Sequence, residues 1–203
     1  MDVKIKICGI RDLGAAHAAA MAGVDAAGFV FTDSPRRIAP SEARRIAADL
    51  PPAIERVAVL RLAAVEEIRR ALDEFPADRV QVEPGPDLLA TFGPRLLPVL
   101  HDDGSLDGQV AGLEVDRPVV VEAAGRGGRG VRPDWNRVAA LARRRPVMLA
   151  GGLDPGNVAA AIRAVRPWGV DVSSGVESSP GVKSPARIEA FVAAARHCAP
   201  EEA

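Results

Sequence analysis

Two spacings of apolar residues alternate along the chain. Short runs rich in β-branched residues, such as Ile5-Lys6-Ile7 and Val119-Val120-Val121, recur between longer stretches rich in Ala, Arg and Leu. The short runs have the length and composition of buried strands, and the longer stretches those of helices. Strands are predicted at Lys4–Cys8, Ala26–Phe31, Arg56–Leu60, Arg79–Glu83, Leu96–Leu100, Val119–Glu122, Val147–Ala150 and Val170–Ser173. Helices fit Leu13–Ala22, Pro40–Leu50, Val65–Phe75, Asp87–Phe92, Trp135–Arg144, Pro155–Val165 and Pro185–Arg196. The helical pattern is faintest over Ser105–Leu113, where irregular structure is expected.

Near-continuous apolar strands separated by helices indicate a parallel sheet covered on its helical side. Eight strand-helix units in 203 residues take about 25 residues each, close to the lower limit for a closed (β/α)8 TIM barrel. A doubly wound open sheet has the same periodicity, but eight units without a composition break favour closure. The expectation is one α/β barrel domain over 1–203, with a loose tail from about residue 199.

Composition narrows the partners. Hydrophobic residues make up 48%, charged residues 26%, and the formal net charge is −1. That balance gives no reason to expect nucleic acid or an anionic membrane. The densest basic run, Arg143-Arg144-Arg145, suits a helix end, where cations complement the dipole. No stretch approaches the roughly 18 apolar residues of a membrane span. The start, Met1-Asp2-Val3-Lys4-Ile5-Lys6, lacks the apolar core of a signal peptide, so a cytoplasmic protein is expected. Cys8 and Cys198 form no disulfide framework or metal spacing and should be free thiols.

In a closed barrel the functional groups gather where strands end and βα loops begin. Cys8 ends the first strand, followed by Gly9. Its thiol is a base or nucleophile if a nearby positive charge stabilises the thiolate, and otherwise a small buried apolar group. Arg36 and Arg37 follow the second strand, able to grip a carboxylate through two nitrogens or simply to sit in solvent. Glu122 ends the sixth strand as a proton donor, if partly buried, or as a rim charge. The glycine-rich run Gly125-Arg126-Gly127-Gly128-Arg129-Gly130 behind it suits a lid. The seventh strand runs into Gly151-Gly152 and a helix start with unpaired amides. The eighth ends at Asp171 and continues to Ser174 and Gly175. The two loops together make a phosphate cradle, a recurring use of this barrel.

These segments resemble the phosphoribosylanthranilate isomerase family. The likeness is carried by Lys6-Ile7-Cys8-Gly9-Ile10, by Gly28-Phe29-Val30-Phe31 with Ser34-Pro35-Arg36, and by Gly151-Gly152-Leu153. Asp171-Val172-Ser173-Ser174-Gly175-Val176-Glu177 with Pro180-Gly181-Val182-Lys183 completes it. The resemblance implies an Amadori rearrangement in tryptophan biosynthesis. A general acid opens the ribose ring of phosphoribosylanthranilate, and a general base then removes the C2′ proton. No metal or organic cofactor is implied, because the substrate's own nitrogen is the electron sink. The resemblance implies Cys8 as base and Arg36 for the anthranilate carboxylate. It implies Gly151, Gly152, Asp171, Ser174 and Gly175 as further substrate-binding positions.

Three strands depart from the family pattern. Glu122 stands where the family has an aspartate acid. It reaches one methylene further, and a misplacement of about 1 Å costs on the order of 100-fold in rate. The fourth strand reads Gln81-Val82-Glu83-Pro84 where the family has Gln-Leu-His-Gly, and the third ends Val59-Leu60-Arg61-Leu62. Arg61 and Glu83 end adjacent strands and are expected to form an ion pair that Glu122 feels. His101 either returns an imidazole to this half or lies exposed beside Asp102 and Asp103. Two alternatives to the isomerase stand on these departures: an enzyme of another aminated phosphosugar, and a non-catalytic phosphoribosyl-ligand binder. Monomer and homodimer both fit.

Overall fold

The structure is a computed structural model that describes residues 3–125 and 132–198. Eight parallel strands close in chain order: β1 (Lys4–Cys8), β2 (Ala26–Val30), β3 (Glu55–Val59), β4 (Arg79–Val82), β5 (Leu96–Asp102), β6 (Val119–Ala123), β7 (Val147–Leu149) and β8 (Gly169–Val172). The pairing of β8 with β1, Lys6 beside Asp171 and Ile7 beside Val172, makes this a barrel rather than an open sheet. Helices α1 (Leu13–Ala22), α2 (Pro40–Ala47), α3 (Val65–Glu74), α4 (Pro86–Phe92), α5 (Leu106–Gln109), α6 (Trp135–Ala142), α7 (Val158–Val165) and α8 (Pro185–Arg196) follow the strands in turn.

The alternation of strand side chains divides the core in two. Outward residues such as Ile5, Ile7, Phe29, Val80, Leu100 and Val121 pack with Ala16, Ile46, Ile68, Val138 and Phe191 of the helices. Inside the barrel, Leu97, Val99, Val120, Met148 and Ala150 form a smaller apolar cluster. The opposite side of the interior is ionic: Lys6 and Asp171 are both buried there. Helix starts are fixed by side chains. Asp12 accepts the Ala15 N–H at 2.8 Å, and Asp134 accepts those of Asn136 and Arg137. Such caps contribute about 1 kcal/mol each.

Predicted and observed strands agree to within two residues at each end. The differences lie in the connections. The segment Ser105–Leu113 holds a single helical turn, α5, with Gly108 in its middle and Gly112 (φ 83°) beyond it. Helix α7 starts at Val158 instead of Pro155, because the Asp154–Asn157 turn is closed on itself. Asp154 Oδ1 takes the Gly156 N–H, and the Asp154 carbonyl takes those of Asn157 and Val158. The unpaired helix amides expected behind Gly151-Gly152 are therefore satisfied locally. A two-stranded hairpin, β9 (Glu177–Ser179) and β10 (Val182–Lys183), follows β8 and was not expected. The basic run follows the end of α6, as expected, and Arg145 within it is buried. Arg126–Gly130 of the expected lid and the tail from 199 lie outside the described residues. No described helix is long and apolar enough to cross a membrane.

Candidate active site

A cleft opens at the C-terminal ends of the strands. Cys8, Arg36, Glu122, Gly151, Gly152, Asp171 and Ser174, predicted from seven separate positions, all line it. Gly175 does not. It lies behind the β8 loop, where a Cβ would run into the Leu153 carbonyl and stand 3.0 Å from the Asp154 Cα. That close approach locks the β7 and β8 loops together, so the two glycine segments do form one surface. Gly151 and Gly152 hold φ of 87° and 63°, a left-handed conformation that side chains disfavour. Neither Gly152 nor Ser174 gives its N–H to another described residue.

Cys8 points into the cleft beside Gly28, its register partner on β2. A Cβ on Gly28 would stand 3.1 Å from Lys6 Nζ and 3.2 Å from Cys8 Sγ, so the missing side chain makes room for both. Lys6 is completely buried and Asp171 takes its Nζ with both oxygens at 2.9 Å. Burial opposes the lysine charge, but Asp171 and then Cys8 outweigh it, and its pKa ends above the ordinary value. Burial pushes the Cys8 thiol up, with Lys6 pulling against it, Asp171 adding to it and Lys183 opposing. Burial thus opposes the thiolate at Cys8, and the Lys6 and Lys183 cations favour it.

Arg36 already holds a carboxylate. Its Nε and Nη2 donate to the two oxygens of Glu177 at 2.7 and 2.8 Å, and Lys183 Nζ meets the same carboxylate at 2.9 Å. The two-pronged grip expected of Arg36 is thus made within the protein, and the largely buried side chain still lines the cleft. Arg37 is exposed. The Arg36 chain passes over Gly9, where a Cβ would come within 2.8 Å of its Cδ. Burial works against the Glu177 charge, yet its bonds to Arg36 and Lys183 hold the carboxyl below the usual range. Burial pushes Lys183 down although Glu177 stands against it. Lys183 also donates to the Ser173 carbonyl at 2.9 Å, and Ser173 Oγ donates to the Cys8 carbonyl at 3.0 Å, tying β10, β8 and β1 into one frame.

The other half is built differently. Arg61 pairs with Glu83 at 3.4 Å, as its place on the adjacent strand implied, and donates to the Gly125 carbonyl at 3.1 Å. His101 lies within β5, not in an exposed loop, between Glu83 (3.2 Å) and Glu122 (3.5 Å). Burial raises the Glu122 pKa, with His101 opposing, Asp171 adding, Arg61 opposing and Glu83 adding. Gln81 Oε1 and His101 Nδ1 are buried without a hydrogen bond among the described residues. The two carboxylates face opposite nitrogens of the ring, and among the described residues no cluster of His, Cys, Asp and Glu could hold a metal ion.

Sequence reasoning missed Lys6, Glu177 and Lys183 as members of the site. Their signal was present: a lysine at an inward strand position and a second one in a turn segment, each needing a buried acid.

Comparison with known proteins gives concordant results. The family model for N-(5′-phosphoribosyl)anthranilate (PRA) isomerase matches residues 5–194. An N-(5′-phosphoribosyl)anthranilate isomerase of Roseiflexus sp. is 43% identical over 217 residues, covering 97% of this chain and 99% of that one. A phosphoribosylanthranilate isomerase in complex with reduced 1-(o-carboxyphenylamino)-1-deoxyribulose 5-phosphate superposes with a TM-score of 0.83 at 33% identity. That match covers 96% of this chain and 99% of the other. Monomers generated from the dimeric enzyme of Thermotoga maritima give a TM-score of 0.84 at 34% identity, with the same coverage.

Proposed function

The chain belongs to the N-(5′-phosphoribosyl)anthranilate isomerase family, and from that membership we infer that it converts phosphoribosylanthranilate into 1-(2-carboxyphenylamino)-1-deoxyribulose 5-phosphate in tryptophan biosynthesis. It is an intramolecular oxidoreductase. The substrate is a small phosphosugar, and the reading takes the enzyme as cytoplasmic and as a monomer or homodimer, a dimeric relative supporting the latter.

Within that reaction the cleft divides into two tasks. Glu122 gives its proton to the ribose ring oxygen, the C1′–O bond breaks, and the nitrogen lone pair forms a C1′=N Schiff base. Cys8, as thiolate, takes the C2′ proton. The electrons left behind form C1′=C2′ and neutralise the nitrogen. The enol becomes the ketone as the C2′ hydroxyl proton is lost and C1′ gains one. Burial of Glu122 favours the protonated carboxyl that the first step requires. Lys6 and Lys183 stabilise the thiolate that the second requires. The cradle of Gly151, Gly152, Ser174 and the Gly175 backing takes the phosphate, and Asp171 fixes Lys6 below it. Arg36 takes the anthranilate carboxylate.

One observation carries the assignment: a buried thiol and a half-buried carboxyl face one cleft from β1 and β6, with paired glycine loops between them. The test is growth without tryptophan of a bacterial strain lacking its own isomerase and supplied with this chain. Growth is expected; failure to grow with soluble protein present would refute the function.

A further inference from the structure

Glu83, His101 and Glu122 close three consecutive strands, and the β5–β6 register sets His101 directly beside Glu122. The backbone at His101 is clamped. Its N–H donates to Gln109 Oε1 at 2.9 Å and its carbonyl accepts from Gln109 Nε2 at 2.7 Å. The ring is clamped too, with Nε2 3.2 Å from Glu83, which Arg61 holds at 3.4 Å. What remains is Nδ1, buried, without a hydrogen bond and 3.5 Å from Glu122 Oε1. A buried nitrogen without a partner is costly, and the half-buried Glu122 carboxyl facing it relieves that cost if the two share a proton.

We propose that His101 and Glu122 form one titrating couple that keeps a single transferable proton at the mouth through neutral pH, with His101 as the positioning residue and Glu122 as the group that delivers the proton. The couple deepens the isomerase assignment and rests on it. With one proton bound, two arrangements compete: imidazolium beside carboxylate, and imidazole beside carboxylic acid. The last proton then leaves at a higher pH than it would leave either group alone. The surrounding charges are themselves paired, Arg61 with Glu83 and Asp171 with Lys6. Arg61 from the β3 end and Glu83 from the β4 end face the couple as a pair, and Asp171 faces it from β8. On the histidine's own strand, Asp102 turns away to Arg137, and Asp103 bonds Ser105 and Gln109 outside. When Glu122 protonates the ring oxygen the couple is left as neutral imidazole and carboxylate. It takes one proton back from solvent as product leaves, while Cys8 releases to solvent the one it took from C2′.

Two measurements decide this. The first is a pH titration of imidazole nitrogens by long-range ¹H–¹⁵N correlation. The chain has three histidines, and His101 is assigned by its loss in His101→Gln. In Glu122→Gln the His101 midpoint is expected to fall by about one pH unit or more, while His17 and His197 stay in place. An unchanged His101 midpoint overturns the proposal. The second is the kcat/KM profile. In His101→Gln the alkaline limb that reports the acid should move to lower pH, with thermal stability and product-analogue binding retained. A limb that stays in place overturns the couple. Absence of turnover in the wild type at every pH would instead sink the isomerase assignment, and the titration would still decide the coupling.

Discussion

The two halves of the barrel mouth are held together in opposite ways. On the β1, β2, β7 and β8 side the charges are buried and closed on one another. Lys6 with Asp171, and Glu177 with Arg36 and Lys183, all lie between 2.7 and 2.9 Å. On the β3 to β6 side the contacts among Arg61, Glu83, His101 and Glu122 run from 3.2 to 3.5 Å, the side chains are about a fifth to a third exposed, and a buried nitrogen has no bond among the described residues. A charge fixed by two short bonds is a rigid binding surface, since its protonation is costly to change. A group in loose, competing contacts keeps a proton affinity that a neighbour or a substrate can move. In the proposed reaction the first half grips the phosphosugar and presents the base Cys8, and the second supplies the proton of the acid Glu122.

Breaking the closed half should have the largest effect. In Glu177→Ala two cations, Arg36 and Lys183, lose the carboxylate they share, although it is only 4% exposed. Removing one partner of such a buried pair costs about 3–5 kcal/mol. Urea unfolding measures this, and a loss below about 1 kcal/mol would mean the network is ornamental. Next comes Gly175→Ala, whose methyl group collides with the Leu153 carbonyl. Overpacking of this kind costs about 1–3 kcal/mol. Here it should appear mainly as a raised KM, because the collision parts the two loops assigned to phosphate.

Carboxylates held by short bonds, Glu177 in the closed half and Asp25 at the opposite, N-terminal end of β1 and β2, shape the response to acid. Glu177 and Asp25 both have folded pKa values below their ordinary ones; burial opposes this in each case, but Arg36 and Lys183 in the first, and Lys4, Ile5 N–H and Arg196 in the second, prevail. The stability they contribute is fully present above the ordinary carboxylate values of 4.5 and 3.8 and is lost as pH falls through the lower folded values. Melting temperature should therefore decline below that range, and less steeply in Glu177→Gln. The smallest effect on stability belongs to Arg61→Ala. This half-open pair contributes about 0.2–1 kcal/mol at most. Since Arg61 opposes the burial that raises Glu122, its removal should move the pH at which Glu122 loses its proton upward. Unchanged stability and an unchanged pH profile together would show that Arg61 plays no part in the acid side.

The same contrast explains what was legible in the sequence. Strands such as Lys4–Cys8 announce themselves through period and β-branching, and the glycine loops sit contiguously behind theirs. The closed half could be read as segments because its residues are neighbours in the chain. Its inner wiring could not: Arg36 and Glu177 are 141 residues apart, and only the fold shows that Arg36 spends most of its guanidinium on the protein itself. The β3 to β6 half consists of single residues on separate strands. The Arg61–Glu83 pair followed from strand adjacency. His101 could not be placed, because a strand two residues longer than its apolar core carries it into the mouth. The hairpin at Glu177–Lys183 was hidden in a Ser-Ser-Pro-Gly turn that reads as plain loop.

The division of labour between Cys8 and Glu122 is tested most directly by the loss of anthranilate fluorescence when purified protein meets freshly made phosphoribosylanthranilate, with Cys8→Ala and Glu122→Gln run beside it. Rapid loss with the wild type, and a rate lower by about 100-fold or more in each variant with product-analogue binding kept, is the predicted result. Full activity in either variant would contradict the assignment of base and acid.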